Sequence, residues 1–153
     1  MGSCFTGSRS TGFLLHGPQL FGYIHVMKFC PACASELKFE VPPADNRPRF
    51  MCPSCGAIHY QNPRIVTGTV ATWDDRILLC RRAIEPRYGF WTLPAGFMEI
   101  GETVADGAIR ETTEEAGARI ELLDLFSMID VIHAEQVHVF YRARMVVPDL
   151  DPG

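Results

Sequence analysis

GFMEIGETVADGAIRETTEEAGA occupies residues 96–118 and is the most constrained run in the chain. Thr103 is a good helix N-cap, with Asp106 three residues on as a capping-box variant. The spacing predicts a helix from about Val104 to Ala116, stopped by Gly117. Val104, Ala108, Ile109, Thr112 and Ala116 form its less polar side, and the acidic residues lie elsewhere. Gly107 weakens such a helix by about 1 kcal/mol relative to Ala, a cost that close packing would justify. Glu111, Glu114 and Glu115 stand at i, i+3 and i+4, and so share about 100° of helix surface. Three unpaired carboxylates there repel one another. A divalent cation among them relieves this, and hard oxygen ligands suit Mg²⁺ or Mn²⁺ rather than zinc.

The full spacing is Gly96, five residues, Glu102, seven residues, Arg110-Glu111, two residues, Glu114-Glu115, one residue, Gly117. It resembles the Nudix box at every fixed position. The resemblance implies a loop–helix–loop that binds Mg²⁺ (or Mn²⁺) and hydrolyses a nucleoside diphosphate linked to another group. It implies Glu111, Glu114 and Glu115 as metal ligands, with the Ala95 carbonyl as a further one. By the same resemblance Arg110 orients Glu111, and Glu102 fixes that arrangement. The family usually has an aliphatic residue where this chain has Thr112, and a larger apolar one at Ala118; both bear on helix packing. The bland alternative is a solvated acidic helix face. The accompanying Gly96, Glu102, Arg110 and Gly117 argue against it.

Working outward, Ile65–Trp73 and Ile77–Arg82 are β-rich runs around a turn at Asp74-Asp75-Arg76, a hairpin. Residues 88–96 read as a short strand entering the glycine loop, with Phe90 and Trp91 expected in the core. The other reading of Arg87, Tyr88, Phe90 and Trp91 is stacking on a base or isoalloxazine ring. Downstream, Ile120–Val131 has strand character. Residues 136–147 alternate, with Val137, Val139, Tyr141, Ala143, Met145 and Val147 on one face. Cys80 is expected in the core, and His133 and His138 as packing or surface residues. The element order suits an α+β fold, a mixed sheet with a helix packed on it. The resemblance implies an α/β/α Nudix sandwich.

Further upstream are Cys30-Pro31-Ala32-Cys33 and Cys52-Pro53-Ser54-Cys55, with 18 residues between the pairs. Two such turns present four thiolates to one centre, a zinc-ribbon signal. Two disulfides or a redox pair are the alternatives; no convincing secretory signal or βαβ pattern supports them. A ribbon this small cannot bury a stable core, so Zn²⁺ would supply much of its folding free energy. The expected division is residues 1–27 as a disordered or artefactual extension, 28–60 as zinc ribbon, and 61–153 as the Nudix domain.

The 153 residues carry a net charge of −4 and only two lysines, Lys28 and Lys38. That argues against a protein whose main task is gripping nucleic acid. No apolar run approaches the roughly 18 residues of a membrane span. Residues 1–26 hold one basic residue, Arg9, and no acid. Besides an artefact, they read as a feeble targeting peptide or a short myristoylation pattern. The end at Pro148–Gly153 reads as a loop, and truncation of the Nudix fold is expected. A further glutamate past the box often completes such sites. Glu121 and Glu135 are present, but the matching position is expected beyond Gly153.

The ribbon-plus-box layout resembles the NADH pyrophosphatase-like group. That enzyme's Ser-Gln-Pro-Trp-type signature is missing from residues 118–136. The runs YQNPRIVTGTV and LLCRRAIEPRYGFWTLPAGFMEIGE look closer to its FAD and ADP-ribose pyrophosphatase branch. The expected reaction is therefore cleavage of FAD or ADP-ribose to AMP plus FMN or ribose 5-phosphate. NADH or NAD-capped RNA as substrate, and a non-catalytic zinc-ribbon binding module, are the alternatives. A small-molecule nucleotide as partner, a homodimer and a cytoplasmic location complete the expectation.

Overall fold

The structure, a computed structural model, describes residues 27–85 and 87–148 and the backbone of residues 4–7. The chain divides into two compact units, residues 20–63 and residues 64–153 together with 1–19.

In the smaller unit β2 (Lys38–Glu40), β3 (Arg49–Met51) and β4 (Ile58–His59) form an antiparallel sheet in that order. Its two cysteine turns share one construction. Ala34 N–H donates to the Cys30 carbonyl at 2.8 Å, and Gly56 N–H to the Cys52 carbonyl at 2.9 Å. The residue after each pair is left-handed, Ala34 at φ 58° and Gly56 at φ 75°. Phe39 and Phe50 meet across the sheet with ring centroids 4.8 Å apart. Arg49 caps the Tyr60 ring at 5.1 Å, a contact suited to a guanidinium on an aromatic face.

The larger unit is built on a mixed sheet. β5 (Arg64–Trp73) and β6 (Arg76–Arg81) form the expected hairpin, and Asp74 takes the left-handed turn position at φ 51°. β10 (Gln136–Met145) runs parallel to β5 and antiparallel to β9 (Ile120–Val131). β1 (Cys4–Gly7) pairs with β6, completing the order β1-β6-β5-β10-β9. The readings offered for residues 1–3, 8–26 and 149–153 lie outside the described residues.

α1 spans Val104–Ala116 with its Thr103–Asp106 capping box and left-handed Gly117, as the spacing predicts. It buries Gly107, Ala108, Thr112 and Ala116 against the sheet. Below it lies a core of Ala71, Leu78, Cys80, Ala116, Ala118, Ala143 and Met145. The small Ala118 belongs to that core, where a larger side chain would displace its neighbours. Thr112 is not an aliphatic substitute. Its hydroxyl lies 2.7 Å from both the Ala108 carbonyl and the Thr69 hydroxyl. Buried polar groups are tolerated when paired in this way. Among the described residues, α1 is the α-helix present; the second helical layer of a sandwich is not among them.

Two expectations need correction. Residues 88–96 are not one strand but two, β7 (Trp91–Thr92) on β6 and β8 (Ala95–Phe97) on β5. The chain crosses between them where Gly68 leaves room: a Cβ there would collide with the Pro94 carbonyl and Ala95. Nor are Phe90 and Trp91 core residues, being 64% and 46% exposed. The core under this edge is filled by Leu78 and Cys80 from the neighbouring strand.

Candidate active site

The acidic groups are organised by one guanidinium. Arg110 Nε and Nη2 donate to the two carboxylate oxygens of Glu102 at 3.0 and 2.8 Å, a bidentate fork. Its Nη1 donates to Glu111 at 2.7 Å and to Glu114 at 3.0 Å, and Nη2 also reaches the Phe97 carbonyl at 3.1 Å. Glu102 is further held by the Glu99 N–H at 2.7 Å. These bonds, Arg110 first, keep the Glu102 carboxyl at about 2, far below its ordinary value. The same bonds push the guanidinium value higher still. The resemblance implies that Arg110 orients Glu111 and that Glu102 helps fix that arrangement; the structure places Arg110 in contact with both.

Two glycines make the arrangement sterically feasible. Glu111 lies against Gly96, where any Cβ would overlap its carboxylate. At Gly107 a Cβ would come within 2.7 Å of Glu102 and 2.8 Å of Thr67, so close packing does explain this helical glycine. Glu115 faces the loop from the next turn and accepts the Ala95 N–H at 3.1 Å. Thus Ala95 touches the box through its amide, whereas its carbonyl is the group the resemblance implies as a ligand. Glu115 is exposed overall, but protein atoms crowd one side of its carboxylate. That partial desolvation raises its pKa, the nearby Glu111 and Glu114 charges add to the rise, and Arg82 opposes it.

Sequence reading did not find the part played by Arg82 or by the Phe97 carbonyl. Strand alternation from buried Cys80 was the available signal for Arg82; nothing in the sequence marks a backbone acceptor. Glu121 is paired with Arg144 instead, and His138 bonds Gln136 at 2.8 Å, with burial lowering its pKa.

The donor chemistry of three clustered carboxylates, one partly desolvated, fits a hard divalent cation. The glutamates are not drawn into a closed ligand set. Arg110 Nη1 stands between Glu111 and Glu114, and the Glu114 side chain is 59% exposed and can rotate. The four ribbon cysteines are drawn together, with all their sulfurs within 4.8 Å of one another. Cys30–Cys55 and Cys33–Cys52 are 3.7 and 3.4 Å apart, close to the roughly 3.8 Å edge of a tetrahedral Zn–S₄ site. The quartet fits zinc, and His59 Nε2 lies 3.4 Å from Cys30 Sγ.

The NUDIX domain family matches residues 62–152, and the zinc-ribbon family described as Nudix N-terminal matches residues 28–61. A solved Nudix hydrolase from Nitrosomonas europaea is 47% identical with a TM-score of 0.80, over 83% of this chain and 72% of that one. The NAD-capped RNA hydrolase NudC of Chromobacterium violaceum is 38% identical over 106 residues, 69% of this chain and 38% of the relative. An ADP-ribose pyrophosphatase of Methanocaldococcus jannaschii is 40% identical over 58 residues, 38% of this chain and 34% of the relative. The chain spans 35–52% of the length of the first curated relatives it matches. With the carboxylate helix, the cysteine quartet and both family matches in agreement, the chain belongs to the Nudix hydrolase family and carries that family's N-terminal zinc ribbon.

Proposed function

We propose that this chain hydrolyses the pyrophosphate bond of a nucleoside diphosphate derivative, using magnesium or manganese held by Glu111, Glu114 and Glu115. The observation that carries the reading is the Arg110 fork, which anchors on Glu102 and aims Glu111 at the glycine loop. A divalent cation bound there neutralises pyrophosphate charge and lowers the pKa of a bound water. The residues of the chain supply position. Arg110 sets Glu111 and the Ala95 N–H sets Glu115, and Glu114, exposed beside Arg110, would complete the ligand set for the cation. Glu111 is also placed to accept the proton of the attacking water. The ribbon holds zinc through Cys30, Cys33, Cys52 and Cys55.

Within that class, the relatives named as NAD-capped RNA hydrolases favour an NAD-type dinucleotide, free or as an RNA end. ADP-ribose or FAD, the substrates expected from the sequence, is the second reading, favoured by the relative named as an ADP-ribose pyrophosphatase. A homodimer and a reducing, cytoplasmic setting for the free thiols belong to the same proposal. The test offers NAD, NADH, NAD-capped RNA, ADP-ribose and FAD to the full-length protein with Mg²⁺. Products are separated by chromatography, with Glu111→Gln as control. AMP or an AMP-ended RNA from wild type alone supports hydrolysis, and the preferred substrate selects the finer reading. No turnover of any of the five by folded protein would leave a binding module instead.

A further inference from the structure

The last strand of the smaller unit brings a side chain to the cysteine quartet that the four ligands do not account for. His59 ends β4. In the ladder it stands opposite Phe50, which stands opposite Phe39. Residues opposite one another across a sheet share a face, so Phe39, Phe50 and His59 line one side of it. Phe50 is buried there and His59 partly buried. His59 Nε2 lies 3.4 Å from Cys30 Sγ, a hydrogen-bonding distance for nitrogen and sulfur.

The quartet holds two kinds of sulfur. Cys30 and Cys52, the first residue of each pair, are buried, each 2% exposed, whereas Cys33 and Cys55 are exposed. Four thiolates around one Zn²⁺ leave two negative charges uncompensated. Water can solvate the outer sulfurs, but charge on the inner ones needs a donor from the protein. Cys52 Sγ has one within its own turn, the Cys55 N–H at 3.5 Å. Cys30 Sγ, the equivalent atom of the other turn, meets the imidazole of His59, 29 residues on in sequence. A metal-bound thiolate has no proton to give, so the ring must present Nε2–H to it. The four sulfurs, all within 4.8 Å of one another, already complete a closed structural site, and the imidazole stands outside them.

We propose that His59 is a positioning residue of the zinc site, donating Nε2–H to the buried Cys30 thiolate and so holding the metal more tightly. The inference rests on the ribbon binding zinc and adds a residue beyond the four ligands. A hydrogen bond of this kind fixes the direction of the ligand atom and offsets part of its charge.

The intact chain is compared with His59→Phe and His59→Leu, which fill the space without a donor, and with His59→Gln, which keeps one. Zinc affinity is read by competition with a chelator of known affinity, and stoichiometry by metal analysis. The two donor-free variants are expected to bind zinc about 10–100-fold more weakly, the usual loss when such a partner is removed, and His59→Gln to recover most of it. Cobalt(II) in place of zinc gives a second reading. The thiolate-to-cobalt charge-transfer band should move to longer wavelength where Cys30 has lost its donor, and return in His59→Gln. Packing alone would not produce that return. The ligand-field bands should report four sulfurs in every protein. Equal zinc affinity in wild type and the donor-free variants, or equal losses in all three variants, overturns the donor role and leaves the ribbon's zinc standing. A wild-type cobalt spectrum of three sulfurs and one nitrogen, abolished by His59→Phe, makes His59 a ligand and overturns it as well. Wild type that binds neither metal overturns the ribbon's zinc and the donor role together.

Discussion

Arg110 is the residue on which the candidate site turns, because its planar fork satisfies Glu102, Glu111 and Glu114 together. A lysine keeps the charge but cannot hold that geometry. Arg110→Lys is expected to lower kcat/KM about 10–100-fold, as losses of ligand-orienting partners do, with zinc content unchanged. The Glu102 carboxyl, ordinarily near 4.5, is held at about 2 in the folded chain. Because the folded value is the lower one, the stabilisation is complete above pH 4.5 and is lost as pH falls from there toward 2. Carbon-detected titration should place the Glu102 midpoint below about 3 in wild type and closer to the ordinary value in Arg110→Lys. Glu115 shows the opposite sign. Its raised value means that ionisation in the fold destabilises as pH climbs through the carboxylate range. A bound cation removes that penalty. At pH 7.5, Mg²⁺ should therefore raise Tm in wild type and do so less in Glu115→Gln, by about 2–4 °C per kcal/mol of binding free energy. Equal shifts in the two proteins would place the cation elsewhere. The identity of these residues was legible in the spacing; their bonding to the Phe97 carbonyl and the opposing charge of Arg82 were not.

At the scale of the element, α1 was legible to its last residue, because caps and left-handed stops are local chemistry. How the helix sits on the sheet was not. The Thr69–Thr112 hydroxyl pair joins residues 43 apart in sequence, and neither residue announces the other. Thr112→Val should leave the Thr69 hydroxyl without its acceptor in the core and cost about 1–3 kcal/mol. Adding Thr69→Val should recover part of that loss, a non-additive cycle readable by urea unfolding. Strictly additive losses would mean the pair does not interact. Gly107 behaves similarly. Propensity favours Ala, but the clash with Glu102 and Thr67 reverses the sign, so Gly107→Ala should lower both stability and activity. The split of residues 88–96 into two strands escaped sequence reading because a partner strand, not local propensity, ends β7 and begins β8.

For the whole molecule, the two units have different sources of stability. The larger has a packed core shared by α1, β5, β6 and β10. Among its described residues the smaller has short strands, a Phe39–Phe50 contact and the cysteine quartet, so metal is expected to supply most of its folding free energy. Gentle purification should yield about one zinc per chain. Chelation should then raise amide exchange across residues 28–61 while protection in β5, β10 and α1 persists; exchange that rises equally in both units would show one cooperative fold. Among the described residues no helix is long and apolar enough to cross a membrane. The sequence by itself determined the family, the helix with its caps, the thiol quartet and the identities of the carboxylates, since each is written in fixed local spacing. The tertiary structure alone decided which strands neighbour one another, why Gly68, Gly96 and Gly107 must lack a side chain, and that Phe90 and Trp91 stay outside the core. Those outcomes depend on atoms brought together from distant parts of the chain, and one-dimensional spacing does not record such encounters.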